Sequence, residues 1–143
     1  MTRRTVFAGM VTATLVLAVS ALGPAAWAQG PWECPAAEKG KKPSAEILKQ
    51  IGDPAKAAAA GKKLVVDKAC VACHGETGKG DGPGAAALNP KPANWTSAAV
   101  QSEPDGCLFW KISSGRGAMP PWASLPESER WQIIAFLRTL KGK

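Results

Sequence analysis

Five consecutive residues, Cys70-Val71-Ala72-Cys73-His74, constrain this chain more than any other feature. Two thiols three residues apart lie on one helical turn, and an imidazole follows directly. This is the C-x-x-C-H spacing by which a c-type haem is held: the thiols add to its two vinyl groups and the histidine supplies one axial iron ligand. The same residue types serve elsewhere as a redox dithiol or as half of a zinc site. A zinc site needs a second ligand pair, and His74 is poorly spaced from Cys73 for joining it on one tetrahedral ion. A dithiol motif calls for alternating strands and helices, which the surrounding sequence lacks.

Residues 1–28 read as a secretory signal peptide. Arg3 and Arg4 form a basic start, an apolar stretch runs from Val6 to Leu22, and Ala26-Trp27-Ala28 is an A-x-A cleavage site. The alternative is an uncleaved anchor, for which the stretch is short and interrupted by Gly23-Pro24. Cleavage removes two of the 18 basic residues and none of the 11 acidic ones, leaving 16 against 11, a formal charge of +5. That modest excess suits docking to an acidic partner, and without a dense Lys/Arg tract it does not argue for nucleic acid. The remaining chain is one domain, small enough for a buried haem to supply much of its core. Export leads to the periplasm, where spare cysteines pair. With Cys70 and Cys73 in thioethers, Cys34 and Cys107 are expected to form a disulfide, the alternative being two free thiols.

Residues 29–54 form an N-terminal arm, turn-rich over 29–43, with a short helix over 45–50 opened by Ser44 and ended by Gly52-Asp53-Pro54. Residues 55–143 form the main domain. The pattern predicts a helix over 55–68 leading to Cys70, a glycine-rich loop over 75–94, and one helical turn over 85–88. A helix near 105–114 has Asp105 as its cap, and a final helix spans 127–140 after Pro126. No strand is expected, so the fold class is all-α.

Outside residues 1–28 the chain holds one methionine, Met119, and one histidine, His74. Met119 lies in Gly115-Arg116-Gly117-Ala118-Met119-Pro120-Pro121, a stretch that cannot be helical. A core methionine belongs on an apolar-periodic helix; one isolated between glycines and prolines reads as the second axial ligand. His/Met ligation leaves no open position for a substrate at the iron and raises the potential relative to two histidines. Arg116 is a candidate partner for a haem propionate, the alternative being a solvated arginine.

Taken together, these elements resemble class I monohaem cytochromes c, in that family's order over about residues 57–140. They are the Gly61 helix, Cys70-x-x-Cys73-His74-Gly75, the loop to Asn89-Pro90-Lys91-Pro92-Ala93-Asn94-Trp95, the Asp105-Gly106 helix, Met119-Pro120 and the Trp131 helix. The resemblance implies a small fold of about four to five helices wrapped around one covalently attached haem c. It implies that Gly61 meets Trp131 where the first and last helices cross. It also implies a proline carbonyl accepting the free N–H of His74, for which Pro92 is chosen over Pro83 and Pro90. Trp95, Trp110 and Trp122 are pocket or core aromatics. Two features depart from the family: Cys107 inside a helix, and the arm. A Cys34–Cys107 bridge accounts for both by pinning the arm across the domain.

The expected function is that of an exported, monomeric one-electron carrier, not an enzyme, meeting redox partner proteins through weak, charge-steered contacts. Lys79, Lys91 and Lys111 are candidate docking residues. The first alternative is a haem subunit held in a larger oxidoreductase. The second is a gas-binding or sensing haem protein, which requires Met119 to be off the iron.

Overall fold

The computed structural model describes residues 32–143, and within them the chain forms α1 (Ala36–Lys39), α2 (Ala45–Ile51), α3 (Pro54–Asp67), α4 (Val71–His74), α5 (Ala98–Gln101), α6 (Asp105–Ser114) and α7 (Glu127–Arg138). A 3-10 turn occupies Pro83–Ala87, and no strand forms among the described residues. The fold is all-α. The expected signal peptide, residues 1–28, lies outside the described part.

Asp53 and Pro54 start α3. The Asp53 carboxylate accepts from the amides of Lys56 and Ala55, both at 3.0 Å, and Pro54 takes a first-turn position where no amide is needed. These bonds, that from Lys56 foremost, hold the Asp53 carboxyl below its ordinary pKa. Along α3, Ala57, Gly61 and Val65 recur every fourth residue and are buried. They face α7, which buries Trp131, Ile133, Ile134, Phe136 and Leu137.

Gly61 sets how closely α3 and α7 approach. A Cβ there would fall on the Gln132 carbonyl and within 2.9 Å of Phe136 Cβ. The glycine therefore meets the Gln132 backbone and Phe136 as its nearest neighbours, rather than Trp131 as the family resemblance suggested. Trp131 stacks instead on Phe109 of α6, with ring centroids 4.5 Å apart.

The longer helices keep within about two residues of their expected ends, because their caps and apolar stripes are explicit. Among the described residues the count rises to seven through single turns: α1, α4 and α5 have four residues each, too few to show a period. Asp105 is not the cap of α6. Pro104 holds that position, and Asp105 begins the helix with its carboxylate 2.7 Å from the Arg138 guanidinium.

Residues 33–143 pack as one unit, which takes in residues 33–54 of the segment read as an arm. Cys34 and Cys107 are joined by a disulfide with an S–S distance of 2.04 Å. α1 lies on α6 at Gly106, where a Cβ would strike the Glu38 carbonyl. Lys41 Nζ sits 4.3 Å from the Phe109 ring centroid, and α2 packs on α7. No helix among the described residues is long and apolar enough to cross a membrane.

Candidate haem site

Ala69 turns the chain out of α3 and into the cysteine motif. Its φ of +56° is left-handed, a conformation costing a residue with a Cβ roughly 1–2 kcal/mol. Cys70 then begins the α4 turn, its carbonyl accepting from the Cys73 amide at 3.2 Å and the His74 amide at 3.0 Å. Gly75, at φ +77°, ends it. Cys70 and Cys73 are half-buried thiols outside any disulfide. Burial pushes the Cys70 pKa up, and the neighbouring Cys73 adds to the effect.

His74 is half-buried, and burial pulls its pKa down against a smaller opposing effect from the Ala93 carbonyl. A neutral imidazole is the form that ligates iron. Its Nδ1 lies 3.0 Å from Ala93 O, so Nδ1–H donates there and Nε2 is left with the lone pair. The acceptor is therefore Ala93 and not Pro92. Neighbouring carbonyls of a non-helical segment point in different directions, and that of Pro92 faces Gly80. The Trp95 ring covers one face of the imidazole, with centroids 4.3 Å apart and planes inclined by 20°.

Met119 is held in a separate loop. Its amide donates to Arg116 O at 3.0 Å and its carbonyl accepts from the Arg116 amide at 2.8 Å, an isolated antiparallel bridge. The Trp122 amide ties the loop's far end to Ile112 O at 3.0 Å. Met119 is half-buried against the same core cluster that Cys70 and Val71 join, so α4 and the methionine loop share one packed interior. Arg116 stands beside Met119 through this backbone pairing.

Two candidate docking lysines are committed within the chain. Lys91 Nζ donates to Ala86 O at 2.8 Å and Ala85 O at 3.0 Å, and Lys111 pairs with Glu103 at 2.6 Å. Lys79 is exposed. Beside α4 runs an open groove of about 560 Å³, whose lining includes Val66, Ala69, Val71, Ala72 and Pro83 together with the acidic Glu76 and Asp81. It touches the residues between the two cysteines but neither cysteine nor His74, so it is a surface next to the motif.

A family model described as cytochrome c matches residues 58–141. The chain belongs to the cytochrome c family. A relative, the cbb3-type cytochrome c oxidase subunit CcoP of Azospirillum sp. (strain B510), is 40% identical over 99 residues, covering 61% of this chain and 31% of that protein. This cytochrome c thus spans less than a third of that relative's length in the matched region. Among solved structures, the Kuenenia stuttgartiensis reducing HAO-like protein complex is similar at 26% identity and a TM-score of 0.53, over 70% of this chain and 50% of that one.

A cytochrome c carries covalently bound haem c with its iron, and the residues present fit that group. Two thiols share a turn with an imidazole whose Nδ1 is already engaged, and a thioether is packed against the same interior. Among the described residues no three His, Cys, Asp or Glu side chains converge on a point that would hold another metal ion. A zinc reading of the motif therefore lacks its second pair of ligands.

Proposed function

We propose that this cytochrome c is an exported, monomeric carrier of single electrons, with one haem c bound through Cys70 and Cys73 and ligated by His74 and Met119. The observation that supports the reading is the Ala93 contact on His74 Nδ1, which favours the Nδ1–H tautomer and leaves the Nε2 lone pair available to a metal. Haem c supplies a reversible one-electron iron couple. The chain's own residues hold both thiols on one turn, orient the imidazole and pin Met119 through the Arg116 bridge. With the Met119 thioether on the iron, no place would be left there for a substrate. Redox partners meet it through small, weak contacts, for which the groove beside α4 and the exposed Lys79 are the surfaces on offer. Residues 1–28 direct it to the periplasm and are removed after Ala28.

A potentiometric titration followed by visible spectroscopy tests this. One Nernstian one-electron step, a His/Met spectrum, and a reduced protein that resists carbon monoxide are expected; rapid, complete carbon monoxide binding overturns it.

A second reading, a haem subunit of a larger oxidoreductase, is favoured by the relatives: one is named as an oxidase subunit and the other as part of a complex. Gel filtration of native extract separates the two readings. Elution as a stable large complex replaces the free carrier by the subunit.

A further inference from the structure

A hydrogen bond at one edge does not fix an imidazole plane. The ring still turns about Cβ–Cγ, a torsion with a broad minimum, while the Nδ1–H···O contact with Ala93 bends to follow. A flat, immobile partner on the face of the ring does fix it. Trp95 is such a partner: it stacks on His74 at 4.3 Å and 20°, and only 7% of its surface is exposed.

Trp95 is itself held on several sides. Its amide donates to Gly78 O at 2.6 Å, and its carbonyl accepts from Gln101 Nε2 at 2.6 Å. The same Gln101 nitrogen donates to Leu137 O of α7 at 2.9 Å. Gly78 is pressed against the indole, since a Cβ there would lie 2.8 Å from Trp95 Cε3 and 2.9 Å from Leu140 Cδ1. Arg138 Nη1 donates to Gln101 O at 3.2 Å and anchors the backbone of the tie. Gln101 Oε1, by contrast, is buried without a partner. The amide is thus oriented by its donor end, at the expense of its acceptor.

We propose that Trp95 is a positioning residue that sets the plane of the His74 imidazole, and that Gln101 holds it in register with α7. The proposal rests on the reading of His74 as an iron ligand. The ring plane decides which iron d orbital the imidazole π electrons raise, and hence how unpaired spin is distributed around the haem in the ferric state. A contact that acts only through core packing has no such effect.

The test is proton NMR of the haem methyl groups, with electron paramagnetic resonance, on ferric wild type and on Trp95→Leu, Trp95→Phe and Gln101→Met. Trp95→Leu and Gln101→Met are expected to change the order or spread of the four methyl resonances, and Trp95→Phe, which keeps an aromatic face, to restore most of the wild-type pattern. The Met-to-iron charge-transfer band stays in each. Ile133→Val, a core change elsewhere, lowers stability without altering the pattern. If Trp95→Leu does not mature with haem, Gln101→Met decides. Wild-type methyl patterns in every haem-loaded Trp95 and Gln101 variant overturn the proposal and leave the His/Met carrier standing. A wild-type protein without a histidine-ligated spectrum overturns both.

Discussion

His74 Nδ1 faces the Ala93 carbonyl at 3.0 Å, while the carbonyl of the preceding Pro92 faces Gly80. The group that engages His74 Nδ1–H is thus a backbone atom beyond the proline, independent of the proline ring. Pro92→Ala is expected to lower stability by about 0.4–1 kcal/mol, through greater freedom of the unfolded chain, and to leave the reduction potential unchanged. Denaturant unfolding and a redox titration check this, and a large shift in potential would show that the ring does more than shape the loop.

On the proposed ligation, removing the Met119 thioether would free one coordination position of the iron and leave the thiols of Cys70 and Cys73 untouched. Met119→Ala is expected to attach haem normally and, when reduced, to bind carbon monoxide stoichiometrically. The reduction potential should fall, because a ligand favouring the ferrous state is lost. Stopped-flow mixing of the reduced proteins with carbon monoxide separates variant from wild type, and equal binding by both would place Met119 off the iron.

The Cys34–Cys107 bridge closes a loop with a sequence separation of 73 residues. In the chain-entropy model a loop of that length stabilises by about 4 kcal/mol, less any native strain. The Cys34→Ser/Cys107→Ser double variant is expected to lose about 2–4 kcal/mol in urea unfolding, with its visible spectrum and potential intact. Loss of the spectrum along with stability would mean that α1 and its contacts with α6 support the haem site directly.

How much was legible in the sequence depended on the range of each signal. Cys70, Cys73 and His74 share a turn because their spacing is local, and α3, α6 and α7 announce themselves by their apolar stripes, with Gly115 closing α6 and Pro126 opening α7. The four-residue α1 and α5 carry no period, and α1 takes its place through Cys107 and Gly106, which are distant in the chain. The choice of Ala93 over Pro92 depends on which way successive carbonyls turn, and side chains do not encode that. The Gln101 contact with Leu137 spans 36 residues and uses a backbone oxygen, so no motif marks it.

At the helix crossing, Gly61 leaves no room for a methyl group: a Cβ would fall on the Gln132 carbonyl, a backbone atom that cannot swing aside. Gly61→Ala gains helix propensity of about 1 kcal/mol and loses more by forcing α3 and α7 apart, typically 1–3 kcal/mol for an overpacked contact. A net loss of up to about 2 kcal/mol in thermal or urea unfolding is expected. A stabilised variant would show that the crossing yields easily.

Arg138 near the end of α7 reaches Asp105 at 2.7 Å and also donates to the carbonyls of Val100, Gln101 and Glu103. The two kinds of contact should differ in worth. The Asp105 side chain is 53% exposed, and such a pair contributes about 0.2–1 kcal/mol. The three carbonyls close α5 and the turn into α6, and a charged donor to such groups contributes roughly 1.5–3 kcal/mol. Arg138→Ala is therefore expected to cost about 2–3 kcal/mol, and Asp105→Ala no more than about 1 kcal/mol. Arg138→Lys should recover only part of the loss, since a single ammonium cannot span the spread of acceptors that the guanidinium reaches. A double-mutant cycle in urea measures the direct pair; a coupling as large as the whole Arg138→Ala loss would show that Asp105, and not the carbonyls, gives Arg138 its weight.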